Sequence, residues 1–142
     1  MVKFKLFIDT NIIIDLLADR IPFSNAAYVI FREAKLKEWT LFTSSNSILT
    51  TFYILEKESS TKKANIAIGK LLNRIEVPDI TKKGLLQALK SKTEDLEDAS
   101  QIECANQIPK LDFIITRDKK GFKYSIDKVI SSDEFVQVNG LC

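Results

Sequence analysis

Four carboxylates stand within five residues, at Glu94, Asp95, Glu97 and Asp98. Like charges this dense repel. A pair about 4 Å apart costs about 1 kcal/mol in water and about 4 kcal/mol at an effective dielectric of 20. Something positive must offset that: solvent, a helix N-terminus, basic side chains or a metal ion. Asp95 and Asp98 are spaced i, i+3, so they share one face of a helix. Two more acids follow hydrophobic runs, Asp9 after Phe4 to Ile8 and Asp118 just beyond Leu111 to Thr116. If Asp9, Asp95, Asp98 and Asp118 meet in one pocket, Mg²⁺ or Mn²⁺ fits it. Such hard ions take oxygen ligands, keep several waters and accept phosphate oxygens. Metal-activated water can attack a phosphodiester, and the ion steadies the leaving oxygen. The chain contains no His. A Ser-His-Asp triad, a Cys-His pair and a His-ligated zinc are therefore excluded.

Each acid also has a plain structural reading. Asp9 can cap the helix that follows it, and Asp95 can cap or complement the next helix dipole. Ser91-x-x-Glu94 has the form of a capping box, and Glu97 suits a first turn. Asp118 can be an ordinary turn residue. The inference rests on the order: strand and Asp, acidic helix start, strand and Thr-Arg-Asp.

The elements that would position these acids follow from periodicity. Phe4 to Ile8 reads as a buried strand, and Ile12 to Leu17 as helical turns. Phe23 to Lys37 repeats apolar residues at helical spacing after Pro22, which suits a helix start. Trp39 to Thr43 reads as a strand, followed by capping oxygens at Ser44 to Asn46 and a helix through Leu55. Another helix runs from Ser60 to Leu72. Arg74 to Val77 reads as a strand stopped by Pro78. Helices are expected from Thr81 to Lys90 and from Leu96 to Gln107, ended by Pro109. Leu111 to Thr116 and Val129-Ile130 complete the strands, with a capped turn at Ser131 to Phe135. Alternating strands and helices imply a three-layer α/β/α sandwich with a mainly parallel sheet, in one domain spanning residues 1–142. Ligands of such sheets sit beyond the strands' carboxyl ends, where Asp9 and Asp118 fall.

Charge is uneven although the net is only +2. Ser60 to Lys92 holds eight bases against two acids. Glu94 to Glu103 holds five acids and no base. Lys110 to Lys128 holds six bases against three acids. An acidic centre flanked by basic segments suits a site for a cation and then a polyanion. Lys62, Lys63, Arg117, Lys119 and Lys120 are candidates to hold phosphates. Cys104 falls on an apolar helix face, and two unpaired thiols point to the cytoplasm. The Phe4 to Ile8 run is too short for a signal segment, and no run is long enough to span a membrane.

Phe7-Ile8-Asp9-Thr10-Asn11, Asp95-Leu96-Glu97-Asp98-Ala99 with Cys104-Ala105, and Phe113-Ile114-Ile115-Thr116-Arg117-Asp118 with Phe122 resemble the PIN domain. This is the fold of VapC-type toxin ribonucleases and related nucleases. The resemblance covers nearly the whole chain, and Ser131 to Phe135 looks like the family's terminal turn. It implies a metal-dependent ribonuclease acting on single-stranded RNA, a homodimer and an antitoxin partner. By motif position Asp9, Asp98 and Asp118 would bind metal, with Asp95 as an extra acid. Thr10, Asn11 and Thr116 would position ligands or water. One position departs from the family, which mostly carries a Glu on the helix after the second strand. Here the chain reads Ser44-Ser45-Asn46-Ser47, and the nearest acid, Glu56, is about three turns on. Asn46 would then supply a neutral oxygen and Asp95 the missing charge, in a subgroup lacking the second-position Glu. That loss keeps open a catalytically weak or inactive binding module. A phosphotransfer reading of Asp9-Thr10-Asn11 is disfavoured, since that chemistry wants an Asp at position 11.

Overall fold

Leu6, Phe7 and Ile8 have no solvent exposure. A strand buried on both faces needs helices on both sides, which is the condition of a parallel sheet. A computed structural model describes residues 2–142. In it β1 (Lys5–Ile8) lies between β2 (Thr40–Phe42) and β3 (Phe113–Ile115), with β4 (Val129–Ile130) beyond β3. The order is β2-β1-β3-β4, and every pairing is parallel. The alternation of β1 divides the core. Leu6 and Ile8 join one apolar cluster, and Phe7 joins the other.

Among the described residues seven helices cover the sheet: α1 (Thr10–Leu17), α2 (Ser24–Lys37), α3 (Ser45–Glu58), α4 (Thr61–Leu72), α5 (Lys82–Lys90), α6 (Leu96–Asn106) and α7 (Ser132–Val138). The cluster around Leu6 and Ile8 takes in Ile12, Ile30, Ile48, Ile68 and Phe135, from α1, α2, α3, α4 and α7. The cluster around Phe7 takes in Ile102, Cys104 and Ala105 of α6, and α5 packs on α6. The result is the expected α/β/α sandwich. None of the described helices is long and apolar enough to cross a membrane.

Three local expectations are corrected. Arg74 to Val77 is not a strand but a single parallel bridge, Glu76 to Phe42. The Arg74 N–H still closes the turn after α4 on the Leu71 carbonyl, and Pro78 has no N–H to extend a ladder. The capping box at Ser91 and Glu94 does not form. Ser91 closes α5 by donating its hydroxyl to the Ala88 carbonyl at 2.8 Å. Because α6 begins at Leu96, Asp95 caps it and Glu94 lies exposed outside the helix. Pro22 precedes α2 by two residues rather than starting it.

Parallel strands bring their exits to one edge. Asp9 follows β1, Thr43 and Ser44 follow β2, Thr116 follows β3 and Ser131 follows β4. Asp9 N–H donates to the Ile115 carbonyl at 3.0 Å, and Thr43 Oγ1 to the Ile8 carbonyl at 2.7 Å. These bonds lock three strand exits side by side.

Candidate functional site

Asp9 is 6% exposed and caps α1, its Oδ1 accepting from Thr10 N–H at 2.8 Å. The same oxygen accepts from Gln101 Nε2 at 3.0 Å, and Oδ2 accepts from Thr116 Oγ1 at 2.7 Å. Burial pushes the Asp9 carboxyl above its ordinary range. Hydrogen bonds from Thr116, Gln101 and Thr10 pull it back, and the charge of Asp118 adds to the rise.

Gln101 is the hub of a neutral network beneath Asp9. It is 1% exposed, and its amide donates also to Ser47 Oγ at 2.9 Å. Its Oε1 accepts from the Ser44 hydroxyl. Ser44 caps α3, accepting from Ser47 N–H at 3.0 Å, and Thr10 Oγ1 lies 2.7 Å from Ser47 Oγ. Turning the amide over would set Oε1 against the Asp9 carboxylate, so the orientation is fixed. Sequence reasoning missed Gln101 and Ser47. The available signal was helical spacing: Gln101 is three residues after Asp98, a polar residue among Ala99, Ile102 and Ala105 on a buried face.

Asp98 and Asp118 converge at Gly121. A Cβ at position 121 would collide with Oδ2 of both, so any other residue there would displace the two carboxylates. Asp118 Oδ1 accepts from Gly121 N–H at 3.0 Å. Thr116 joins this pair to Asp9, since its Oγ1 accepts from Asp118 N–H at 3.0 Å while donating to Asp9. Asp98 is half-buried, and its pKa is pushed up to about 6. Burial is the largest cause, followed by the charges of Asp95, Asp118, Asp9 and Glu97. Among the described residues no Lys or Arg pairs with Asp9, Asp98 or Asp118.

The expectation of four carboxylates in one pocket is corrected. Asp95 is exposed, and its Oδ1 turns back to accept from Asp98 N–H at 2.9 Å. Its charge bears on Asp98 while its oxygen serves the helix. Among the described residues no three Asp, Glu or Cys side chains stand close enough to hold an ion as they are. Asp98 and Asp118 converge, Asp9 is linked through Thr116, and Asp95 caps α6 three residues before Asp98.

The polar candidates are also redistributed. Asn11 braces the exit of β3, with Nδ2 3.4 Å from Thr116 Oγ1 and Oδ1 accepting from Arg117 N–H at 3.3 Å. Asn46 stands half-buried in the first turn of α3, but Ser47 takes the place in the network. Arg117 does not face the acids. Its guanidinium donates twice to fully buried Asp15, at 2.8 and 2.9 Å, and lies 3.9 Å from the Phe23 ring centroid. A buried carboxylate needs such a partner, so Arg117 is engaged in the fold. Lys119 pairs with Glu134 at 2.7 Å, and this holds the Glu134 carboxyl below its usual range.

A separate groove of about 970 Å³ runs between α1, α2 and α4. Its floor is apolar, its rim carries Arg32, Lys35, Lys63, Lys70 and Arg74, and none of the site acids lines it.

Comparison with known proteins adds three findings. The family model described as PIN domain matches residues 5–120. Ribonuclease VapC1 of Aquifex aeolicus (strain VF5) is 28% identical over 138 residues, covering 94% of each chain. Among solved structures, VapBC-1 from nontypeable Haemophilus influenzae is similar with a TM-score of 0.68 and 17% identity, over 92% of this chain and 99% of that one. VapBC2 from Rickettsia felis, bound to a promoter DNA fragment, gives 0.67 and 17%, over 90% and 98%.

Proposed function

Because the chain belongs to the PIN domain family, we propose that it is a Mg²⁺- or Mn²⁺-dependent endoribonuclease acting on single-stranded RNA, the toxin of a toxin-antitoxin pair. One observation carries the reading: Asp98 and Asp118 close on Gly121, and among the described residues no basic side chain pairs with either. Paired carboxylate oxygens are the donors a hard divalent ion takes, so Asp98 and Asp118 would hold it, and Asp9, tied to them through Thr116, would have to draw in to complete the set. When bound, such an ion lowers the pKa of water and stabilises the leaving oxygen.

The rest of the work falls to the chain. Asp98 and Asp118 present paired oxygens at the mouth of the site. Gln101 and Thr116 hold both oxygens of Asp9, so its carboxylate cannot rotate. Asn11 ties the start of α1 to Thr116, and Thr10 ties it to Ser47 of α3. On this reading Asp9, Asp98 and Asp118 are the ligands, and Asp95 has a capping and electrostatic duty.

Purified protein should cleave single-stranded RNA with Mn²⁺ or Mg²⁺ and stop in EDTA. Asp98→Asn should lower the rate on the order of 10²- to 10³-fold. Cleavage that survives chelation sinks the mechanism.

A second reading keeps support from the start of α3, where neutral Ser44 and Ser47 meet Gln101 and no acid is added beside Asp9. As a binding module, the protein would hold RNA with a salt-dependent affinity and cleave nothing under any divalent ion. For an antitoxin partner, the basic-rimmed apolar groove supports an acidic, amphipathic segment. For a homodimer, Leu49 and Tyr53 of α3 offer an exposed stripe one turn apart, and the oligomeric state in solution tests it.

A further inference from the structure

The turn between β3 and β4 does more than carry Asp118. Phe122 has no exposed surface and packs with Phe7, Ile102 and Ile114, so it pins the turn to the core. Three backbone bonds close it: Phe122 N–H to the Lys119 carbonyl, Lys123 N–H to that of Lys120, and Ser125 N–H to that of Phe122. Tyr124 is held outward on this fixed turn, 49% exposed. Core packing does not account for a large aromatic ring displayed in this way.

Its neighbours are cationic. Lys123 Nζ lies 5.1 Å from the ring centroid, and Lys92 Nζ lies 6.0 Å from it. The other two tyrosines also have cations nearby. Tyr28 has Arg32, and Tyr53 has Lys57, each one turn along its own helix. Those pairs follow from i, i+4 spacing alone. Tyr124 differs, because Lys92 reaches it from the α5–α6 connection, three residues before Asp95. The ring therefore sits where the segment bearing Asp98 and the segment bearing Asp118 meet the surface.

That juxtaposition has a specific use. A strand entering the site meets acids that repel its phosphates, so cations must hold it from the side. Every base has a flat face, and an exposed ring flanked by ammonium groups offers stacking and phosphate contact together. We propose that Tyr124, flanked by Lys92 and Lys123, is a stacking subsite for an RNA base neighbouring the phosphate to be cut. The proposal rests on the nuclease reading above.

Single-stranded oligoribonucleotides with one 2-aminopurine, moved along the strand, test it in an Asp98→Asn background. One position should be quenched on binding. Tyr124→Phe should keep the quench, while Tyr124→Ala should lose it together with affinity on the order of 10-fold. An abasic nucleotide at that position should erase the difference between Tyr and Ala. Thermal melting of Tyr124→Ala should match the parent, since the ring is exposed. Equal binding and quench in Tyr124→Ala overturns the subsite, as does an equal loss in the Phe and Ala variants. If Tyr124→Ala, with Asp98 intact, cleaves RNA with unchanged KM, the subsite falls and the nuclease reading stands. If the unsubstituted protein neither binds nor cleaves RNA, both fall.

Discussion

Two regions meet at the carboxyl edge of the sheet, and they are built on opposite principles. Beneath Asp9, Gln101, Ser44, Ser47 and Thr10 form a dry network in which the amide's donors and acceptor are all engaged. At Gly121, half-buried Asp98 and exposed Asp118 come together, with the charge on Asp98 left unrelieved. A neutral, satisfied network rigidifies its members, whereas an unsatisfied charge pair is held only because the surrounding structure over-determines it. Under the proposed function the first region would position and the second would bind.

Substitution in the network should break this contrast most strongly. Gln101→Leu leaves Asp9 Oδ1, Ser44 and Ser47 short of partners, which should cost about 1–3 kcal/mol in urea unfolding. It should also lower Mn²⁺ affinity about 10- to 100-fold, as loss of an orienting outer partner does. Stability loss without any change in Mn²⁺ affinity would reduce Gln101 to a packing residue.

A smaller effect should come from pH. The Asp98 pKa rises from 3.8 to about 6 on folding, so the folded state binds the proton more tightly. For this group, metal-free stability is fully present below about pH 3.8 and is lost as pH rises through about 6. Thermal melting should show this decline across that window. Asp98→Asn should flatten it, and saturating Mn²⁺ should reverse it. An unchanged slope in Asp98→Asn would place the charge strain elsewhere.

The two regions were unequally visible in the sequence. Asp9 and Asp118 follow apolar runs, and parallel strands bring such exits to one edge whatever else the chain does. Asp98 stands out by its spacing from Asp95. Yet the sequence could not divide labour between these two, because one carboxylate type serves equally as cap and as ligand. Only the start of α6 at Leu96 makes Asp95 the cap. Gln101 stayed hidden because a polar residue on a buried face acquires meaning only once its partner, 92 residues away, is in place. Arg117 reads as a phosphate binder until buried Asp15, 102 residues distant, claims it. The bridge at Glu76 reads as a strand because Ile75 and Val77 have strand propensity, while the pairing that would extend it is absent.

The most direct test is a Mn²⁺ titration by calorimetry of the unsubstituted protein, Asp98→Asn and Gly121→Ala, each shown folded by circular dichroism. The account predicts saturable binding in the unsubstituted protein. It predicts loss of binding in Asp98→Asn, and marked weakening in Gly121→Ala, whose Cβ forces the two carboxylates apart. Binding of equal strength in all three proteins would contradict it.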